Sequence, residues 1–209
     1  MVWYVSFLVE ESANQILEPS DKSVGIDMGI TTFAVLSDGN FVDNPRFLLK
    51  DEETLKSIQS KRDKLPNGSP ERRKLTKAVS HLYERVANRR DDFAQQLSRK
   101  WVERYGIICF EDLNITNMVH NHNLAKSILD VAWNKIVQYT SYKAVEAGRR
   151  MVLVDPANTS QICSSCGQMV KKDLSVRVHE CPNCGLSIDR DLNASMNILR
   201  LGLESLAHA

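Results

Sequence analysis

Val24-Gly25-Ile26-Asp27-Met28-Gly29-Ile30 sets an aspartate in the middle of a run that is otherwise apolar or glycine. The run reads as a buried strand, where Asp is depleted, because an ionised carboxylate taken out of water without a partner is costly. A divalent cation is the strongest partner available to it. Gly25 and Gly29 let a ligand approach the backbone closely. Downstream, Thr31 to Leu36 is a second β-rich run, Ser37-Asp38-Gly39-Asn40 signals a turn, and Phe41-Val42 begins a third strand that Asn44-Pro45 ends. Upstream, Trp3 to Glu10 alternates in the strand manner. A β-meander is therefore expected to open the fold.

From Phe47 the pattern becomes helical, is broken by Pro66-Asn67-Gly68-Ser69-Pro70, and resumes with Ser69 as cap and Pro70 at the first helical position. This predicts a helical hairpin over about residues 46–100, whose second arm carries the apolar stripe Val79, Leu82, Tyr83, Val86, Phe93, Leu97 and Trp101. Ile107-Ile108-Cys109-Phe110 suits a strand buried on both faces, with Cys109 an inert hydrophobe. Leu124 to Ala147 repeats at helical spacing through Ile128, Leu129, Ala132, Trp133, Ile136, Val137 and Tyr139 and stops at Gly148. Met151 to Val154 reads as another buried strand, and Asn193 to Leu203, with Ala194, Ile198, Leu199 and Leu201, as the last helix. The predicted class is mixed α/β, a meander followed by crossover units.

The 209 residues, 43% of them hydrophobic and 25% charged, suffice for one sizeable core and a small satellite. No apolar run approaches the roughly 18 residues that span a bilayer. The opening MVWYVSFLVEES lacks the basic and apolar regions of a secretory signal, so a cytoplasmic location and no membrane partner are expected. The net charge of +1 conceals an asymmetry: residues 46 to 100 hold fifteen Lys and Arg against eight Asp and Glu. That surplus reads either as two solvated helix faces or as a phosphate-contacting surface in which Arg89 and Arg90 are candidates.

Two further acidic positions answer Asp27. Glu111 ends the run Ile107 to Phe110, and strand ends are where α/β sheets place their sites. Asp189-Arg190-Asp191 stands at the start of the last helix. Taken singly, each has a structural alternative: Asp27 as acceptor of backbone hydrogen bonds, Asp112 opening an Asx-turn, Asp189 or Asp191 capping a helix. Together they form a hard oxygen set suited to magnesium, and two such ions can support hydrolysis of a phosphodiester.

Cys163-x2-Cys166 and Cys181-x2-Cys184 are each followed by glycine, Gly167 and Gly185, and form two knuckles able to wrap one structural zinc ion. A redox CxxC or an iron–sulfur site is the alternative reading. Because four thiolates already fill a structural site, His179 is expected as a surface or nucleic-acid-facing side chain rather than a fifth ligand, and Lys171, Lys172, Arg177 and His179 in the fourteen-residue spacer from Gly167 to Glu180 either touch phosphate or are merely solvated.

The segments VGIDMGITTFAVLSDG, ICFEDLNITNM, VDPANTSQICSSCG and HECPNCGLSIDRDLNASMNIL, in this order, resemble the TnpB (OrfB) family of transposon-encoded, RNA-guided DNA nucleases. They are similar, more distantly, to the RuvC domains of type V CRISPR effectors. The resemblance implies a ribonuclease H-like (RuvC) mixed sheet, which the predicted element order fits, with a helical-hairpin insertion and an inserted zinc ribbon. It implies a nuclease core at residues 1–155 and 188–209, the ribbon at 156–187, a DNA substrate and a guide RNA. Asp27 and Glu111 match the family's first two catalytic acids, and its third falls on Asp191 rather than Asp189. On this basis Asp27, Glu111 and Asp191 are expected to hold two magnesium ions, replaceable by manganese, with Arg190 shaping the turn or approaching substrate. The family's N-terminal recognition region would precede Met1, which leaves a non-cleaving nucleic-acid-binding regulator or truncated remnant as the alternative. A strand-joining transposase is a third reading that the resemblance disfavours.

Overall fold

The protein is described by a computed structural model over residues 5–8, 16–113, 133–173 and 175–208. Strand β1 (Ser23–Met28) is flanked by β2 (Thr32–Leu36) and β4 (Ile107–Glu111). β3 (Phe41–Asp43) and β5 (Arg150–Val154) form the edges, giving the order β3-β2-β1-β4-β5. β1, β2 and β3 pair antiparallel as the meander, whereas β1–β4 and β4–β5 are parallel and need crossovers. The result is a five-stranded mixed sheet in an α/β fold.

The crossover from β3 to β4 contains the expected hairpin, α1 (Phe47–Asp63) and α2 (Pro70–Arg104). Ser69 caps α2 by accepting the Arg72 amide at 3.2 Å, and Leu55 of α1 meets Val79 and Leu82 in a small separate cluster. The last turns of α2 turn inward: Leu97, Trp101 and Val102 join Val24, Ile26, Ile108 and Phe110 on one face of the sheet. α3 (Trp133–Glu146) shares that face through Trp133, Ile136 and Ala144. Gly148, at φ 68°, ends it, with the Arg149 amide reaching back to Ala144 O at 2.7 Å.

The opposite face belongs to α4 (Arg190–Ala207), which packs Ile198 against Cys109 and Val154. It lies so close that a Cβ on Gly25 would come within 2.1 Å of Ser195 O, and one on Gly202 within 2.2 Å of Cys109 Sγ. α4 starts earlier than the apolar period indicated, because Asp189 caps it and adds a turn before Asn193. A two-stranded antiparallel sheet, β6 (Val178–Glu180) with β7 (Ser187–Asp189), precedes it.

β5 lies at the sheet edge with only Val154 buried, where a buried strand is expected, because no further strand covers it among the described residues, and two other expectations are tested only in part. Val5–Leu8, the described part of the alternating N-terminal run, is exposed and carries no strand, while Trp3, Tyr4, Val9 and Glu10 lie outside the described residues. Residues 124–132 of the predicted helix, including Ile128, Leu129 and Ala132, also lie outside them, as does 114–123. Among the described residues no helix is long and apolar enough to cross a membrane.

Candidate metal centres

The register of β1 on β4 brings two of the acids together. Ile26 pairs with Phe110 in a parallel ladder, and Asp27 and Glu111 are the next residue on each strand. In-register side chains of parallel neighbours share a face, so both carboxylates stand on the α4 side, at the end where the strands finish. Gly25 and Cys109, two residues earlier on that face, are the positions α4 crosses. The first turn of α4 therefore arrives beside Asp27 with Asp191 in it.

The electrostatics agree. The Asp27 carboxyl is pushed well above the usual carboxylate range, first by burial, then by Glu111 and Asp191, with Arg190 opposing and Asp189 adding to the rise. Burial likewise raises Glu111, against the lowering effect of Thr159, whose hydroxyl donates to Oε1 at 2.5 Å. All three acids are partly buried rather than sealed, so solvent reaches the cluster. The burden falls on Asp27, and a hard cation beside these oxygen donors would relieve it.

Asp189 and Asp191 divide their work cleanly. Asp189 Oδ1 accepts the amides of Asp191 at 2.9 Å and Leu192 at 3.0 Å, which is capping. Asp191 Oδ1 accepts Arg190 Nε at 3.0 Å and a terminal nitrogen at 2.9 Å, while Arg177 approaches Oδ2 at 3.8 Å. Arg190 also donates to Val176 O at 3.2 Å, tying this turn to the spacer between the cysteine pairs.

The four cysteine sulfurs lie within 4.8 Å of one another, with Cys163–Cys184 and Cys166–Cys181 both at 3.6 Å. That is the spacing of thiolates about a tetrahedral ion with bonds of about 2.3 Å. Each knuckle closes on a glycine at φ 75°, with the Gly167 amide on Cys163 O and the Gly185 amide on Cys181 O, both at 2.9 Å. A Cβ is disfavoured at such a φ, which is why both knuckles end in glycine. The donor set fits a structural zinc.

His179 corrects the sequence reading. It is fully buried, sits opposite Ile188 across the β6–β7 pair, and meets Lys172 Nζ through Nδ1. The four thiolates leave His179 no place as a ligand, but its place opposite Ile188 puts it inside the ribbon rather than at the surface. Of the residues considered for nucleic-acid contact, Lys171 is exposed and Lys172 is turned inward, Arg89 is paired with Asp51 at 3.0 Å, and Arg90 follows it on α2. Arg190 is occupied with Asp191.

Sequence reasoning passed over Thr159, Asn193 and Asn197. The last two are fully or almost fully buried on a helix face shared with Ala194 and Ile198. Their i, i+4 spacing on an apolar stripe was the available signal.

Two family comparisons divide the chain between them. The OrfB_IS605 family, described as "Probable transposase", matches residues 6–122, and the Cas12f1-like TNB domain matches residues 133–198. A protein of Streptomyces pristinaespiralis named as an RNA-guided DNA endonuclease is 35% identical over 98% of this chain and 51% of its own length. InsQ of Escherichia coli K12, named likewise, is 28% identical over 98% of this chain and 55% of its own. The CRISPR-associated endodeoxyribonuclease Cas12f1 of Sulfoacidibacillus thermotolerans is 27% identical, covering 94% of this chain and 49% of that protein. The chain thus spans about half the length of the relatives it matches. A cryo-EM structure of a Cas12f1–sgRNA–target DNA complex superposes with a TM-score of 0.55 at 18% identity, over 88% of this chain and 51% of that one, a likeness of fold.

Proposed function

The chain belongs to the TnpB (OrfB) family, and from that membership we propose that it is an RNA-guided or RNA-associated DNA endonuclease of transposon origin, hydrolysing phosphodiesters at Asp27, Glu111 and Asp191. The observation that carries this reading is the meeting of the three carboxylates at one end of the sheet, under the first turn of α4. The antiparallel meander, the two parallel crossovers and the order β3-β2-β1-β4-β5 support a ribonuclease H-like, RuvC-type core. Residues 1–155 and 188–209 form that core, and 156–187 the zinc ribbon. The names of the relatives support DNA and RNA as partners.

Asp27, Glu111 and Asp191 would hold two magnesium ions, with manganese able to substitute. When bound, these ions supply activation of water on one side of the phosphodiester and stabilisation of the leaving oxygen on the other. The chain's own contribution is orientation. Asp27 and Glu111 are fixed by adjacent parallel strands, and Asp191 by a capped helix turn and the Arg190 guanidinium. Arg89, Arg90 and Lys171 are the proposed backbone-phosphate contacts, with Lys172 and Arg190 supporting them from the ribbon side.

Purified protein should cut single-stranded or guide-opened DNA with magnesium or manganese, and Asp27→Ala should abolish cutting. Undiminished cleavage by that variant would sink the assignment. Steeply salt-dependent nucleic-acid binding with no metal-dependent cleavage would instead identify a non-cleaving binding protein. RNA that copurifies with the chain as a discrete transcript is the expected mark of the guided form.

A further inference from the structure

Thr159 lies in the loop between β5 and the first knuckle, outside both strands that carry the acids. It is 4% exposed, and its hydroxyl proton faces Glu111 Oε1 at 2.5 Å, with Pro156 O a weaker second acceptor at 3.3 Å. The ladder fixes the Glu111 backbone but not its terminal torsion, which is intrinsically broad. The Thr159 hydroxyl is what selects one orientation. Its own backbone is held in turn: Asn197 spends both amide hydrogens on Thr159 O at 2.8 Å and Ile162 O at 2.7 Å. Asn193, one turn earlier on α4, donates to Ile162 O at 2.8 Å and accepts the Ser164 amide at 2.9 Å, beside Cys163.

We infer that Thr159 is a positioning residue for Glu111, braced by Asn197, so that α4 sets the orientation of two acids at once, Asp191 directly and Glu111 through Thr159. This rests on the reading of Glu111 as a metal ligand. With Oε1 tied to the hydroxyl, Oε2 and the remaining lone pairs are left for another partner. The same asparagine pair grips the first knuckle, which makes the ribbon a part of the support for Glu111 rather than a neighbour of it.

Thr159→Val keeps the shape and removes the proton, and Thr159→Ser keeps the proton. Manganese affinity of the zinc-loaded chain, without nucleic acid, is read from the paramagnetic signal of the free ion. Removal of such an outer partner typically weakens metal binding about 10- to 100-fold. Thr159→Val should show a loss of that order with zinc content and melting temperature retained, and Thr159→Ser should restore binding. If Thr159→Val binds manganese as tightly as the unsubstituted chain while Glu111→Gln has lost it, the positioning role is overturned and the acidic site stands. If Glu111→Gln binds as well as the unsubstituted chain, or that chain binds no manganese, the acidic-site reading falls and this inference with it. A Thr159→Val chain that loses zinc or unfolds, with Thr159→Ser equally impaired in manganese binding, reduces Thr159 to a structural residue and also overturns the proposal.

Discussion

Asp38 shows how single carboxylates outside the acidic cluster are used. Tyr105 donates its hydroxyl to Asp38 Oδ2 at 2.6 Å and Arg104 approaches the same oxygen at 3.0 Å, joining the β2–β3 turn to the end of α2. Burial pushes the Asp38 carboxyl up, but the Tyr105 and Asn40 hydrogen bonds and the Arg104 charge outweigh it and hold the group below its ordinary value. A depressed folded-state value contributes stability above the unfolded value of about 3.9, which is lost as pH falls through the folded one. Tyr105→Phe should therefore cost roughly 1 kcal/mol at neutral pH and flatten the acid-side decline. Urea midpoints between pH 6 and pH 3 check this; curves that stay parallel for the two proteins would contradict it. Asp27 and Glu111 are the contrary case, raised by burial rather than satisfied by cationic partners.

Among the elements, α4 is the one on which the site depends. A glycine at 25 is required because any Cβ there would enter the helix backbone, 2.1 Å from Ser195 O and 2.4 Å from Leu199 N. Backbone cannot move aside as a side chain does, so Gly25→Ala must lift α4 from the sheet. Overpacking of this kind costs about 1–3 kcal/mol or more. We expect Gly25→Ala to lower the denaturant midpoint and to weaken manganese binding together, because the lifted helix carries Asp191 away from Asp27. A stability loss with unaltered metal affinity would show that the first turn of α4 is held independently of its middle. The α2–α3 face has its own seam, in which Asp91 takes both Lys135 Nζ and the Tyr139 hydroxyl at 2.6 Å, and it bears on packing rather than on the acids.

At the scale of the molecule, the cysteine cluster and the acidic cluster are mechanically one assembly. Asn193 links the loop at Ser164 to α4, Arg190 links the spacer carbonyl of Val176 to Asp191, and the Arg190 amide donates to Arg177 O at 2.8 Å. Zinc loss should accordingly impair cleavage as well as stability. For Cys181→Ser, we expect a zinc stoichiometry well below one per chain, a lower melting temperature and a reduced cleavage rate. Cleavage unchanged in zinc-free protein would refute the link.

The sequence by itself determined the meander, the hairpin with its Ser69 cap, and the two cysteine pairs, because periodicity, turn residues and short ligand spacings are local properties. It also singled out Asp27 and Glu111 as acids where apolar strands do not tolerate them. Only the tertiary structure decided that Ile26 pairs with Phe110 in parallel, and so that Asp27 stands beside Glu111, since register depends on residues some eighty positions apart in the chain. It likewise gave Asp189 to the helix cap and Asp191 to Arg190 and Arg177, and it buried His179 beneath a hairpin that no local pattern reveals. Thr159 was illegible for the same reason, and the i, i+4 spacing of Asn193 and Asn197 marked the pair but not their partners, which the packing of α4 brings to them.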